Sequence, residues 1–146
     1  RGYAASGQRL NGYVRALAEA GLGLDLALVR QGDFGLASGE QAGSELLSMD
    51  DRPSAIFASS DDMAAGVIAT AHRLGIAVPD QLSVAGFDDT AFAAAVWPAL
   101  TTVRQPVRRL AETAAELLLS PDVENGRREL KHELVIRNSV ASVHGV

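Results

Sequence analysis

The sequence predicts an α/β domain, a parallel or mostly parallel sheet built as a three-layer sandwich with helices on both faces. Three observations carry this. Apolar runs of strand length alternate with amphipathic helical stretches along the whole chain. Two of those runs, "SAIFAS" and "LSVAGF", are continuously apolar, as strands buried on both faces are. Each is followed by a polar turn with an aspartate pair and then by a stretch of small residues.

In chain order, "SGQRLNGYVRALAEAGLG" spaces Leu10, Tyr13, Val14 and Leu17 along one helical face, with Ser6 or Gly7 to start it and Gly21 to end it. "LALVRQGDF" reads as a strand running into a Gly-Asp turn. "SGEQAGSELLSM" reads as a second helix capped by Ser38, with Ala42, Leu46 and Leu47 facing inward. The strand "SAIFAS" leads to a small-residue helix, "DMAAGVIATAHRLG", that ends at Gly75. After Pro79 comes the strand "LSVAGF", and then "AFAAAVW" as a short helix or tight loop. "LTTVRQ" is extended. Pro106 opens a helix with an apolar face at Val107, Leu110, Ala111, Ala114, Leu117 and Leu118. "PDVENGRRE" is a polar turn, and "HELVIRNSV" a last strand.

The 146 residues suffice for one domain with a real core, and 47% hydrophobic content argues against disorder. A net charge of -5 speaks against nucleic-acid binding through bulk electrostatics by this segment. There is no cysteine, which fits a reducing cytoplasm, and no apolar run approaches a membrane span.

The aspartate pairs are the residues with chemistry to offer. Asp61, Asp62, Asp88 and Asp89 all fall at carboxyl ends of strands, where open α/β sheets collect ligands. Aspartate is also a preferred helix N-cap, so Asp62 and Asp89 read as caps or local structure. Asp88 stands open between cap and ligand contact. An acid pair for glycoside hydrolysis depends on a three-dimensional separation that spacing does not give. His72, His132 and His144 are scattered and lack metal-ligand spacing. The nucleophile elbow, the phosphate loop and the dinucleotide fingerprint are all missing. No enzyme, metal or cofactor is expected.

Taken together, "RLNGYVRALAEAGL", "GDF", "RPSAIFASSDDMAAGVIATAHRLGIAVPDQLSVAGFDDTAFAAAVWPALTTVRQP" and "LVIRNS" resemble the lactose-repressor family of bacterial transcription regulators. The resemblance runs from about Gln8 to Ser139. Its most specific parts are "VPDQLSVAGFDD" and "PALTTVRQP". It implies a periplasmic-binding-protein-like core of two subdomains behind a helix-turn-helix headpiece, of which this chain matches the C-terminal portion. Residues 1–105 would form the C-terminal effector-binding subdomain. Residues 106–120 would be a crossing helix that packs on the other subdomain, and 121–146 a turn and final strand returning to the core.

Carried over by position, the resemblance implies a cleft in which Arg9 forks onto ligand polar groups and Phe34 stacks on an apolar ligand face. From composition alone, Arg9 reads equally as a surface cation and Phe34 as core. Ser60 falls where asparagine is usual, beside Asp61, and Asp88 accepts hydrogen bonds from ligand hydroxyls. Serine is shorter and supplies no amide. Val107 stands where some relatives carry an aromatic residue.

The implied partners are a small-molecule effector (a sugar, a sugar phosphate or a nucleobase), a second copy of the chain, and operator DNA reached only through the headpiece. Ala65, Phe92, Val96 and Trp97 would lie at the homodimer interface, although spacing alone places the last three in a core. The implied location is the cytoplasm. Two other readings are weighed against this one. A periplasmic sugar-binding component of a transporter would share fold and cleft, and a sugar hydrolase would use Asp61 with Asp88.

Overall fold

The structure is a computed structural model and describes residues 4–119 and 127–142. Most of the polar turn expected at "PDVENGRRE" lies outside those residues, as do Ser120 and His144. Among the described residues five α-helices and four short strands follow one another: α1 (Ala4–Glu19), α2 (Leu36–Leu47), β1 (Ala55–Phe57), α3 (Asp61–Arg73), β2 (Ser83–Ala85), α4 (Ala91–Ala95), β3 (Thr102–Arg104), α5 (Val107–Leu119) and β4 (Glu133–Val135).

β1 and β2 pair in parallel, with Ile56 opposite Val84. Parallel bridges Ala85–Thr101 and Asp88–Arg104 attach the next strand segment, and β4 closes the sheet antiparallel to β3, with Val103 opposite Leu134. The α/β class stands, with one antiparallel strand at the edge. The core forms where α3 lies on β2. Val67, Ile68 and Ala71 meet Leu82 and Val84 there, with Ala93 and Leu100 at one end.

Helix ends follow local chemistry. Gly21, at φ 73°, ends α1 in a backbone conformation that costs glycine nothing, and the Leu22 amide reaches back to the Leu17 carbonyl at 2.8 Å. The cap of α3 is Ser60, whose Oγ accepts from the Met63 amide at 3.1 Å. Asp62 is therefore not the cap; it sits exposed in the first helical turn. The expected cap of α2 is displaced as well. Gly35 holds that position, while Ser38 bonds back to the Gly35 carbonyl from inside the first turn.

One expected strand does not form. Within "LALVRQGDF", Leu26–Leu28 make a 3-10 turn instead. Asp25 accepts from the Ala27 amide at 2.8 Å, and Arg30 Nη1 donates to the carbonyls of Ala27 and Val29. These bonds satisfy locally some of the backbone groups that strand pairing would use. A cavity of about 620 Å³ opens between this segment, α1 and β1, lined by Leu10, Tyr13, Leu28, Ile56 and Phe57 among others.

The packing of α2 on α3 depends on glycine. A Cβ on Gly39 would stand 2.6 Å from the Met63 Cα, and one on Gly66 would stand 2.6 Å from the Glu40 amide nitrogen. The two backbones touch, and no side chain fits between them. Gly39→Ala is expected to lower stability by about 2 kcal/mol or more, the scale of core overpacking. Gly12→Ala, with open space around it in α1, is expected to raise stability by about 0.5–1 kcal/mol. Urea denaturation of both variants checks the pair.

Candidate functional site

Beyond the carboxyl ends of β1 and β2, three elements bring polar and aromatic side chains together. α1 delivers Arg9. Its guanidinium lies over the Phe87 ring, 3.9 Å from the centroid, and 5.4 Å from the centroid of Phe34. The same group donates to the Ser59 carbonyl and, through Nη2 at 3.2 Å, to Asp88 Oδ1. A cation held against aromatic faces keeps its fork in one plane.

Asp88 and Asp89 follow β2 with φ of 118° and 54°, a backbone turn that aims the two carboxylates at different partners. Asp88, about one-third exposed, accepts from Arg9 and, at 2.6 Å, from Gln105 Nε2. Both bonds fall on Oδ1. Asp89 is nearly buried and bound on both sides, by Arg137 Nη2 at 2.6 Å and by Arg104 Nε at 2.5 Å. Burial alone would raise its pKa. The hydrogen bonds and charges of the two arginines outweigh burial and hold the carboxyl below the usual aspartate value. Asp89 caps nothing: Thr90 occupies the N-cap of α4.

Phe34 also has a positive φ, 71°, and its carbonyl accepts from Ser60 Oγ at 2.8 Å. The hydroxyl of Ser60 thus donates to Phe34 while accepting from α3, and the residue is buried. Ser60 positions Phe34 and does not face the opening.

Asp61 departs furthest from the sequence-based expectation of a ligand contact. It has no exposed surface, and its carboxylate accepts from the Thr90 amide at 2.7 Å, from the Thr90 hydroxyl and from the Thr102 hydroxyl. A buried carboxylate needs such donors, and here they come from the residue that precedes α4 and from β3. Asp61 is an internal brace, sealed from solvent and engaged by Thr90 and Thr102, and its carboxylate is not presented beside Asp88 for a substrate.

The structure therefore gathers Arg9, Phe34 and Asp88, and withdraws Ser60 and Asp61 into the fold. It adds Phe87 and Gln105, which sequence reasoning missed. Both sit at strand ends beside residues already singled out, and that position was the available signal. Of the residues expected at a dimer interface, Trp97 and Phe92 are exposed. Val96 packs on the core, and Ala65 is buried inside the chain at 4% exposure. Ala65 is thus not surface for a partner.

An acceptor, a forked cation and two aromatic faces outside the strand ends of an α/β sheet define a module equipped to hold a small polar molecule. The chain belongs to the periplasmic binding protein-like domain family, whose profile matches residues 1–140. Within that family it is of the lactose-repressor type. It is 41% identical over 141 residues to the HTH-type transcriptional repressor PurR of Photobacterium profundum, covering 94% of this chain and 42% of the relative. Among solved structures it resembles the Escherichia coli transcriptional repressor ascG, with a TM-score of 0.86, 35% identity, and coverage of 96% of this chain and 52% of the other. A sugar-binding transcriptional regulator of the LacI family from Escherichia coli, complexed with phosphate, matches with a TM-score of 0.81 at 36% identity, covering 90% of this chain and 49% of that one. The chain spans less than half the length of the repressor relative. These relatives are transcription regulators, not enzymes, and the transporter alternative is set aside. Among the described residues no helix is long and apolar enough to cross a membrane.

Two measurements separate the braces from the site. Asp61→Ala is expected to cost about 3 kcal/mol in urea denaturation, because it leaves several buried donors unpaired, whereas Asp88→Asn should cost under about 1 kcal/mol. Asp89 predicts a pH signature. Its folded pKa lies below the unfolded value of about 3.9, so the stabilisation it supplies is complete above roughly pH 5 and is lost as pH falls through the folded pKa. The stability gap between wild type and Asp89→Asn should stay constant from pH 7 to about 5 and then close on further acidification.

Proposed function

We propose that this chain is the effector-binding region of a DNA-binding transcription regulator, a repressor, and that its ligand is a sugar, a sugar phosphate or a nucleobase. The observation that carries the reading is the convergence of Arg9, Phe34 and Asp88 beyond the strand ends. A ligand hydroxyl is accepted by Asp88, whose Oδ2 takes neither of the two bonds made to Oδ1. A guanidinium fork meets hydroxyl or phosphate oxygens, and an aromatic face meets the apolar side of a ring.

Regulation on this reading is a population shift. The ligand binds one arrangement of the two subdomains better than the other, and only one arrangement holds a pair of headpieces at half-site spacing. No covalent chemistry takes place. The regulator works in the cytoplasm as a homodimer, and operator DNA is contacted by a headpiece outside this chain. Exposed Trp97 and Phe92 supply apolar surface for the dimer.

The test is a thermal-shift panel on the intact regulator, using pentoses, hexoses, sugar phosphates and nucleobases. One chemical class should raise the Tm, and Asp88→Asn should abolish at least nine-tenths of that shift while leaving the unliganded Tm within about 2 °C. A full shift retained in Asp88→Asn would remove Asp88 from the site.

A further inference from the structure

Between β2 and β3 the chain makes an excursion, residues 90–98, that carries α4 and the exposed Phe92 and Trp97. Both of its feet are held by one short stretch, residues 137–139, that follows β4. At the incoming foot, Arg137 Nη2 donates to Asp89 Oδ1 at 2.6 Å. At the outgoing foot, Arg137 Nη1 donates to the Leu100 carbonyl at 2.8 Å and the Arg137 amide to the Thr101 hydroxyl at 2.9 Å. The Asn138 amide donates to the Ala99 carbonyl at 2.9 Å. Ser139 goes deeper: it has no exposed surface and stands within the sheet. On one side of it the two strand segments pair directly, the Gly86 amide donating to the Thr101 carbonyl at 2.9 Å. At the rung before, the Ser139 hydroxyl accepts from the Thr101 amide at 2.8 Å and donates to the Val84 carbonyl at 2.6 Å. The Val84 amide in turn donates to the Ser139 carbonyl at 2.8 Å. A buried hydroxyl thus relays a bond between the strands and sets the spacing at which they stand.

We infer that Ser139 and Arg137 are positioning residues for the 90–98 excursion: they clamp both of its feet and so fix the apolar surface that Phe92 and Trp97 offer to a second copy. The inference rests on that surface being the dimer's, and it names what holds the surface in shape. Every bond of the clamp is made inside this chain. A few apolar side chains associate tightly only when they are ordered beforehand, because ordering them on contact costs free energy. Residues 137–139 supply that order from the far side of the sheet.

Sedimentation equilibrium and amide hydrogen exchange on the intact regulator test this together. The Val96 amide bonds to the Phe92 carbonyl at 3.0 Å and the Leu100 amide to the Ala93 carbonyl at 2.8 Å, so both report on the excursion and neither bonds to Ser139. In Ser139→Ala their protection should fall about tenfold, while that of Ile68 in α3 stays within about twofold. The dimer Kd should rise about tenfold. Arg137→Met leaves Ser139 in place and Arg104 on Asp89. It should move the same two amides and the Kd in the same direction, and it serves if Ser139→Ala does not fold. Unchanged protection at Val96 and Leu100, or a loss that Ile68 shares equally, overturns the inference. Trp97→Glu separates the two readings. A monomeric wild type, or a dimer that survives Trp97→Glu, removes the assigned interface and the inference with it. Dissociation by Trp97→Glu, with a wild-type Kd in both clamp variants, overturns the inference alone.

Discussion

The carboxylate of Asp61 is sealed from solvent at the start of α3, and three elements converge on it. Its oxygens take the amide and hydroxyl of Thr90 before α4 and the hydroxyl of Thr102 on β3, while its own amide donates to the Phe87 carbonyl at 2.9 Å. Gly86 is forced by the same contact, because a Cβ there would stand 2.6 Å from Asp61 Oδ1. A buried charge is tolerated only with its donors in place, so each of these segments is held to one position relative to the others. The turn that presents Phe87 and Asp88 is therefore set from beneath.

Above that brace, charge is divided between two roles. Asp89 is bound by two arginines, one from β3 and one from the segment after β4, and it joins chain regions about 50 residues apart. Asp88, one residue earlier, points the other way and keeps partial exposure. Two carboxylates side by side would repel if they shared a pocket. The positive φ at both residues separates them, leaving one for structure and one for the site.

Much of this was legible in the sequence. Periodicity gave the helices and the apolar runs gave β1 and β2, but the burial on both faces expected of "SAIFAS" is not met: Ala55 and Phe57 are exposed and Ile56 is half-buried. The roles of the aspartates were harder to read. "SSDD" and "GFDD" repeat one spacing, and the difference between a sealed Asp61 and an open Asp88 comes from Thr90 and Thr102, distant residues that spacing does not reveal. Arg9 and Phe34 came from family resemblance; on composition alone a helix-borne arginine is a surface cation. The strand expected at "LALVRQGDF" failed for a local reason, since the side chains of Asp25 and Arg30 satisfy backbone groups within their own segment.

The glycine contacts between α2 and α3 bear on how this region can move. Where side chains interdigitate, packed helices can slide by small rotamer changes; where two backbones touch through Gly39 and Gly66, sliding meets main-chain atoms that cannot step aside. The pair must travel as one block, and β2 travels with it because α3 lies on that strand. Sliding of α2 over α3 is the motion these contacts oppose, so the two helices and β2 behave as one stiff body.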